Sequence, residues 1–237
     1  SNNVSAPWVN ENNEIIIDSN LMTWVDQTKD FTDKGYNNKT SLWNDQWNAD
    51  QGSNGKVFGF FYSTWGINFT LLGNSLATSV ENGGKEEVGN GAYGDYAVCE
   101  GPQPYFWGGT WICASYDTDN KGLVADIMKV LTCNDTVMKN ITLDTQDYTN
   151  NVPAMNSIAT DASYGSAFLG GQNHIALFAE AAPKIDMSKL SPYDQGLNET
   201  FQGSMKNYFE GNATKDEALA KFYEDAIVKY PDLKKPA

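Results

Sequence analysis

The stretch KVFGFFYSTWG, residues 56–66, sets the pattern on which the fold class depends. Residues 56–62 are rich in aromatic and β-branched side chains, which favour a short strand, and the following Ser-Thr-Trp-Gly predicts a turn. Residues 96–99, Tyr-Ala-Val-Cys, predict a second short strand. Because amphipathic helical segments lie before and after these strands, the sequence predicts an α/β fold that is rich in helix and has a small central sheet.

Helical patterns account for much of the remaining chain. Asp18 or Ser19 is a suitable N-cap for the first helix, and Gly35 is suited to the left-handed position that ends it. Thr214 and Glu217 have the spacing of a capping box at the start of the last helix. The predicted helices span residues 21–31, 122–131, 135–142, 156–159, 172–182, 195–210 and 214–230.

Composition narrows the classes of function. The chain has 237 residues and a formal net charge of −14. Its sixteen basic residues are all lysines, so there is no guanidinium to hold a phosphate or carboxylate in bidentate fashion. Nucleic acid is therefore an unsuitable partner, and a neutral small ligand is favoured over an anionic one.

The cysteine and histidine content argues against common catalytic and metal centres. Cys99, Cys113 and Cys133 are too widely spaced for a metal-binding motif, and they are interpreted as buried free thiols or as one bridged pair with a third thiol. His174 is the only histidine, and it is interpreted as structural or as a polar contact. We therefore expect no catalytic residue, no metal and no cofactor.

The aromatic residues suggest the chemistry of a neutral ligand. A pyranose has an apolar C–H face and a rim of hydroxyl groups, so its site needs flat rings beside polar side chains. Trp65 and Trp107 each lie beside glycine at the edge of a predicted strand, and they are the main candidate platforms. Trp43 and Trp47 are four residues apart, so they can stack on one helix face or form a second platform.

Polar and glycine residues complete the candidate site. Asp194, Gln195 and Asn198 lie within about one helical turn and can present polar groups on one side, although Asp194 and Gln195 also suit the N-terminus of the following helix. Gly108 and Gly109 are candidates that act through backbone conformation or close approach to the ligand.

Two further tryptophans are assigned to the core. Trp24 and Trp111 occupy inward positions of predicted regular elements, and large aromatic side chains dominate protein cores.

The order of these landmarks resembles the family of extracellular solute-binding proteins of carbohydrate ABC importers. The resemblance covers nearly the whole chain, and its specificity comes from the order of motifs that are individually weak. The matching landmarks are 24–36, 56–65, Gly94-Asp95-Tyr96 with Pro102, Trp107-Gly108-Gly109, 121–131, Gly170-Gly171-Gln172-Asn173, Tyr193-Asp194-Gln195, Asn198, Phe201, Tyr208, Gly211, 214–219 and Tyr230-Pro231.

This resemblance implies a periplasmic-binding-protein-like lobe, the C-terminal part of a longer two-lobe protein. Residues 1–105 and 150–237 are then mainly the second lobe, and residues 109–147 cross into a first lobe that the chain lacks. The apolar face of residues 109–141 is expected to be exposed, so a homodimer of the fragment is an expected partner state.

The same resemblance implies a function without catalysis. The protein would bind a mono- or oligosaccharide outside the cell, held by an N-terminal lipid anchor, and deliver it to the membrane permease subunits of the importer. Two other classes stay open at this point. One is a carbohydrate-active surface enzyme, either a glycoside hydrolase, which needs two carboxylates across the scissile bond, or a carbohydrate esterase. The other is a structural or adhesive surface module.

Overall fold

The computed structural model describes residues 4–236, and in that part of the chain nine α-helices carry most of the regular structure. A π-helical turn, Ile67–Leu71, leads directly into α3, and 3₁₀ turns lie at Val80–Asn82 and Ala182–Lys184. The α-helices are α1 Ser19–Asp33, α2 Asp45–Asp50, α3 Leu72–Ser75, α4 Lys121–Cys133, α5 Asp135–Thr145, α6 Val152–Ala159, α7 His174–Ala181, α8 Asp194–Phe209 and α9 Lys215–Lys229.

The chain divides into two compact units. The first takes in the chain up to Thr40 and again from Asp186, and the second is continuous from Ser41 to Ile185. The first unit therefore contains α1, α8 and α9, and the second contains α2 to α7.

Unit 1 is a three-helix arrangement built on the pairing of α8 with α9. α1 packs on α8, and the N-terminal loop adds Trp8 and Ile15 to the core. Phe201 and Phe222 meet edge to face inside it, with ring centroids 5.1 Å apart. Local signals fix the helix ends, since Asp18 caps α1 and Thr214 with Glu217 forms the predicted capping box of α9.

Unit 2 has two small apolar clusters. In one, Phe168 and Leu169 pack with Tyr93 and the end of the π-helical turn. In the other, Met155, Ile158 and Ile175 join α5, α6 and α7. Since α6 packs against both α5 and α7, these three helices form the most regular part of the unit.

The small central sheet is not confirmed. In residues 4–236 the only β-pairings are three isolated bridges, Val9 with Ile15, Glu14 with Lys234 and Ser166 with Gln172. Residues 57–61 and 96–99 carry neither helix nor strand. Around Val98 the physical reason is visible, because the Gln172 side-chain amide donates to the Val98 carbonyl (2.7 Å) and accepts from its N–H (2.8 Å), as a neighbouring strand would.

Several burial expectations are wrong. Trp111 is 80% exposed, and Trp24 is 39% exposed although its ring meets Phe201 and Phe209. The three cysteines are free and exposed rather than buried. In each case the neighbours that decide burial lie far away in sequence, so helical or strand periodicity alone does not reveal them.

None of the helices in residues 4–236 combines the length and apolar character that a membrane span requires.

The core of unit 1 gives a stability prediction. Phe222→Ala removes a fully buried ring that packs against Trp8 and Phe201, so we expect the free energy of unfolding to fall by about 3–5 kcal/mol. Val228→Ala, on the exposed side of the same helix, should change it by less than about 0.5 kcal/mol. Urea unfolding followed by circular dichroism measures both, and equal losses in the two variants would contradict the assigned core.

Candidate functional site

Four of the predicted tryptophans meet in unit 2. Trp47, Trp65 and Trp107 contact Tyr62, Trp43 contacts Trp47 and Trp65, and together these five residues are called the aromatic cluster. Trp47 lies on α2, Trp65 lies just before the π-helical turn, and Trp43 and Trp107 lie on loops. The cluster thus draws on three separate parts of the sequence.

Tyr62 is the centre of the cluster. Its ring centroid lies 5.5 Å from that of Trp47, 6.1 Å from Trp65 and 5.9 Å from Trp107. Its hydroxyl forms a 2.5 Å hydrogen bond with the Thr70 hydroxyl, and its carbonyl accepts a bond from the Tyr105 hydroxyl. Burial raises the pKa of the Tyr62 phenol, an effect that the bond to Thr70 partly offsets. The residue is therefore held at both its backbone and its ring.

Gly66 makes this position of Tyr62 possible. A Cβ atom at residue 66 would lie 1.8 Å from Cε1 of the Tyr62 ring, well inside van der Waals contact. The π-helical turn that follows is anchored by Ile67 and Leu71, which are buried in the Phe168 cluster. Single π-helical turns occur often at functional sites. The turn therefore presents Trp65 and Tyr62 from a firmly packed base.

The tryptophan rings differ in geometry and exposure. The Trp43 and Trp65 rings are nearly parallel, with an interplanar angle of 6° and centroids 6.1 Å apart. Trp107 meets Trp65 edge to face at 6.2 Å. Trp47 is only 5% exposed and acts as the floor of the cluster, whereas Trp107 is 38% exposed and Trp43 is 52% exposed. The cluster thus combines a buried base with accessible indole rings.

Polar groups support the turn that carries Trp65. The Thr64 side chain hydrogen-bonds to the Asp147 carboxylate, and the Asn68 amide donates to the Thr145 carbonyl at the end of α5. Burial raises the pKa of Asp147, while the bonds from the Tyr148 N–H and Thr64 lower it in part. These contacts fasten the tryptophan turn to the end of α5.

His174 holds the same end of α5 from the other side. Its Nε2 lies 2.6 Å from the Gln146 carbonyl, so that nitrogen carries the proton and donates. Burial lowers the pKa of His174, partly offset by hydrogen bonds to backbone groups and by Asp147, and the ring is uncharged at neutral pH. The structure therefore gives His174 a structural contact, one of the two interpretations that the sequence favoured.

The polar candidates lie in unit 1, on the first turns of α8. Asp194 accepts hydrogen bonds from the Ser191 N–H (3.1 Å) and hydroxyl (2.5 Å), and Gln195 donates to Glu199. Asn198 accepts from the indole N–H of Trp8 at 3.1 Å. All three therefore have intramolecular partners within unit 1, and they do not share a unit with the aromatic cluster.

Gly108 and Gly109 follow Trp107 on an exposed segment. A Cβ atom at either position would meet nothing within 4 Å, and neither glycine has a positive φ. The structure thus gives no conformational requirement for glycine there, and the alternative, close approach of the backbone to a ligand, stays a prediction. Their proposed part in binding is limited to leaving space beside Trp107.

Sequence reasoning missed three aromatic residues at the site: Tyr62, Phe69 and Tyr105. Phe69 packs edge to face on Trp65 with centroids 5.7 Å apart, and Tyr105 lies 6.4 Å from Trp107. The i, i+3, i+7 spacing of Tyr62, Trp65 and Phe69 is typical of one helical face, and it is the signal that could have grouped them.

In the described part of the chain, no group of three or more histidine, cysteine, aspartate or glutamate side chains is placed to hold a metal ion.

Comparison with known proteins yields one informative likeness, at the level of the fold. A solved structure described as "Crystal structure of Extracellular solute-binding protein family 1" superposes with a TM-score of 0.68 at 15% sequence identity. The likeness covers 95% of this chain and 54% of that chain, so this chain spans about half the length of the similar structure. No protein-family model matches the sequence, and no curated protein does.

The contact between Gly66 and Tyr62 can be tested directly. In Gly66→Ala the new methyl group displaces the Tyr62 ring, so we expect the near-ultraviolet circular dichroism of the aromatic cluster to fall markedly. Gly73→Ala is the matched control, because a Cβ at this helical position meets nothing within 4 Å. A near-ultraviolet spectrum of Gly66→Ala that overlays the parent's would show that this packing is not required.

Proposed function

We propose that this chain is the ligand-binding part of an extracellular solute-binding protein, and that its solute is a carbohydrate. The observation that carries the proposal is the aromatic cluster, in which accessible indole rings stand on a buried aromatic floor. The similarity of the fold to a solute-binding protein supports binding, without catalysis, as the general activity.

The chemistry of the cluster favours a sugar. Indole faces pack well against the C–H face of a pyranose, and the loss of water from both surfaces stabilises the contact. The absence of arginine and the net charge of −14 make an anionic solute a poor match. Trp65 and Trp107 are proposed as the main platforms, with Trp43 and Trp47 in the same site.

The unit 1 residues are proposed as a second set of contacts in the same protein. Asp194, Gln195 and Asn198 supply the carboxylate and amide groups that recognise sugar hydroxyls. Each would exchange an intramolecular hydrogen bond for one to the sugar, at a modest net cost in free energy. Gly108 and Gly109 are proposed to leave room for the solute beside Trp107.

The partners of the whole protein belong to the same proposal. We infer that a complete protein of this kind acts outside the cytoplasm, is held there by an N-terminal lipid, and passes its sugar to the permease subunits of an ABC importer. The chain spans 54% of the similar solved structure, and we propose that the remainder corresponds to a first lobe. Residues 1–105 and 150–237 would then be mainly the second lobe.

The segment 109–147 is proposed to cross into that first lobe. None of the 13 residues of α4 is buried, although Leu123, Ile127, Val130 and Leu131 repeat at helical spacing. An amphipathic helix ordinarily buries such a face against another element. The exposed face supports the proposal that another part of a longer protein covers it.

The 237-residue chain alone should therefore self-associate through α4. We expect a concentration-dependent dimer in sedimentation velocity, and we expect the double variant Leu123→Glu, Ile127→Glu to be monomeric because charge at the interface opposes burial. Val228→Glu, at an exposed apolar position on α9, is the control and should dimerise like the parent. A parent chain that stays monomeric at high concentration contradicts the proposed role of this face.

Calorimetric titration with maltotriose, cellotriose, xylotriose and mannotriose tests the sugar proposal. Saturable binding without release of reducing ends supports it, whereas turnover supports a glycoside hydrolase. Trp65→Ala and Trp107→Ala should each raise the dissociation constant by about one to two decades, the equivalent of losing about 1–3 kcal/mol of apolar contact.

Trp24→Ala is the matched control for that titration. Trp24 is 39% exposed and Trp107 is 38% exposed, but Trp24 lies in unit 1. Its replacement should leave the affinity nearly unchanged while lowering the melting temperature. If the three alanine variants bind a trisaccharide with the affinity of the parent protein, the aromatic cluster is not the site.

A further inference from the structure

Trp43 has an unusual backbone conformation for a bulky residue. Its φ is 70°, in the left-handed region where a side chain crowds the backbone and which glycine and asparagine adopt more readily. Such residues persist when surrounding contacts hold them, and they are concentrated at ligand clamps and switch regions. The contacts of the Trp43 ring therefore show what holds it.

Those contacts are with the other tryptophans of the aromatic cluster. The Trp43 ring lies parallel to Trp65, with 6° between the planes, and meets Trp47 nearly edge-on at 5.2 Å. A parallel pair shares one face of each ring. With centroids 6.1 Å apart the two rings are offset, so Trp43 covers part of the Trp65 face on which a sugar would stack.

The segment around Trp43 can let the ring leave. Residues 41–46 are exposed, and half of the Trp43 side-chain surface faces solvent. Asn44, the next residue, caps α2 by accepting from the Trp47 N–H, so α2 stays fixed when residue 43 changes conformation. Departure of the ring gives up its contacts with Trp47 and Trp65 but also releases the left-handed backbone, so the second effect offsets part of the first.

We propose that Trp43 is a gate over the Trp65 platform. In the absence of solute its ring occupies that face, and a sugar binds by displacing it, after which residue 43 relaxes to an ordinary backbone conformation. The gate lowers the apparent affinity for any solute in proportion to the fraction of the protein in which the ring has left Trp65. This inference rests on the proposed sugar-binding function.

Replacing Trp43 with glycine shows whether its ring blocks the solute, as a gate would, or binds it, as a platform would. Trp43→Gly in the full-length protein removes the competing ring and keeps a residue that adopts φ near 70° without strain. If the open fraction of the parent is between about one tenth and one half, trisaccharides should bind about two- to tenfold more tightly to the variant. Trp111→Gly, at an 80% exposed tryptophan outside the cluster, is the control and should bind like the parent.

A spectroscopic readout follows the gate independently of affinity. The contacts of Trp43 with Trp47 and Trp65 should contribute to the near-ultraviolet tryptophan band in circular dichroism, and Trp43→Gly should reduce that band in the free protein while the Trp65–Trp107 pair remains. Saturating trisaccharide should reduce the same band in the parent, and should leave the spectrum of Trp43→Gly with little further change.

The outcomes distinguish failure of the gate from failure of the proposed function. Weaker binding by Trp43→Gly would make Trp43 a platform, and unchanged binding with an unchanged band on sugar addition would make it a bystander; either result overturns the gate alone. If none of the four trisaccharides binds to the parent protein, the sugar proposal and the gate fall together.

Discussion

The close packing of the Tyr62 ring over Gly66 is the contact on which the aromatic cluster depends. It places the Tyr62 ring where it contacts Trp47, Trp65 and Trp107. The hydrogen bond to Thr70 then locks the phenol onto the π-helical turn. Because no side chain larger than hydrogen fits at residue 66, the geometry of the tryptophans rests on a single local constraint.

The side chains that hold this part of the chain in place do so through hydrogen bonds, whereas the tryptophan rings pack through apolar contacts. Thr64 and Asn68 tie the tryptophan turn to the end of α5, and His174 holds that end through the Gln146 carbonyl. Each of these groups makes at least one hydrogen bond inside unit 2 that fixes its position. The result is a packed base beneath the partly exposed rings of Trp43 and Trp107, with the Trp43 backbone in the left-handed region.

The sequence predicts best those features that are decided within a few residues. The capping box of Thr214 and Glu217 and the left-handed Gly35 are confirmed, because each depends on local backbone geometry. Features decided by distant partners were not predictable. Gln172 pairs with Val98 across 74 residues in place of a strand, and the burial of Trp24 and Trp111 depends on neighbours that no period reveals.

The candidate site shows the same division. Glycine neighbours identified Trp65 and Trp107, which the structure brings into contact. The spacing of Tyr62 and Trp65 could have grouped those two residues, but no local signal linked Trp43 to Trp65. Asp194, Gln195 and Asn198 were chosen for their spacing along one helix, and that spacing places them near one another. Helical spacing does not indicate whether these residues lie near the tryptophans. Whether they also meet the solute stays a prediction.

The most direct test of the aromatic cluster as the solute site is an indole ¹⁵N–¹H nuclear magnetic resonance titration with a trisaccharide that binds. The seven tryptophans give seven indole N–H signals, each of which is assigned by replacing one tryptophan with phenylalanine. We expect the Trp65 and Trp107 signals to shift on binding while the signal of Trp24 stays in place. Trp8, whose N–H donates to Asn198, reports on the first turns of α8. Saturable binding in which the Trp65 and Trp107 signals do not move would show that the aromatic cluster is not the solute site.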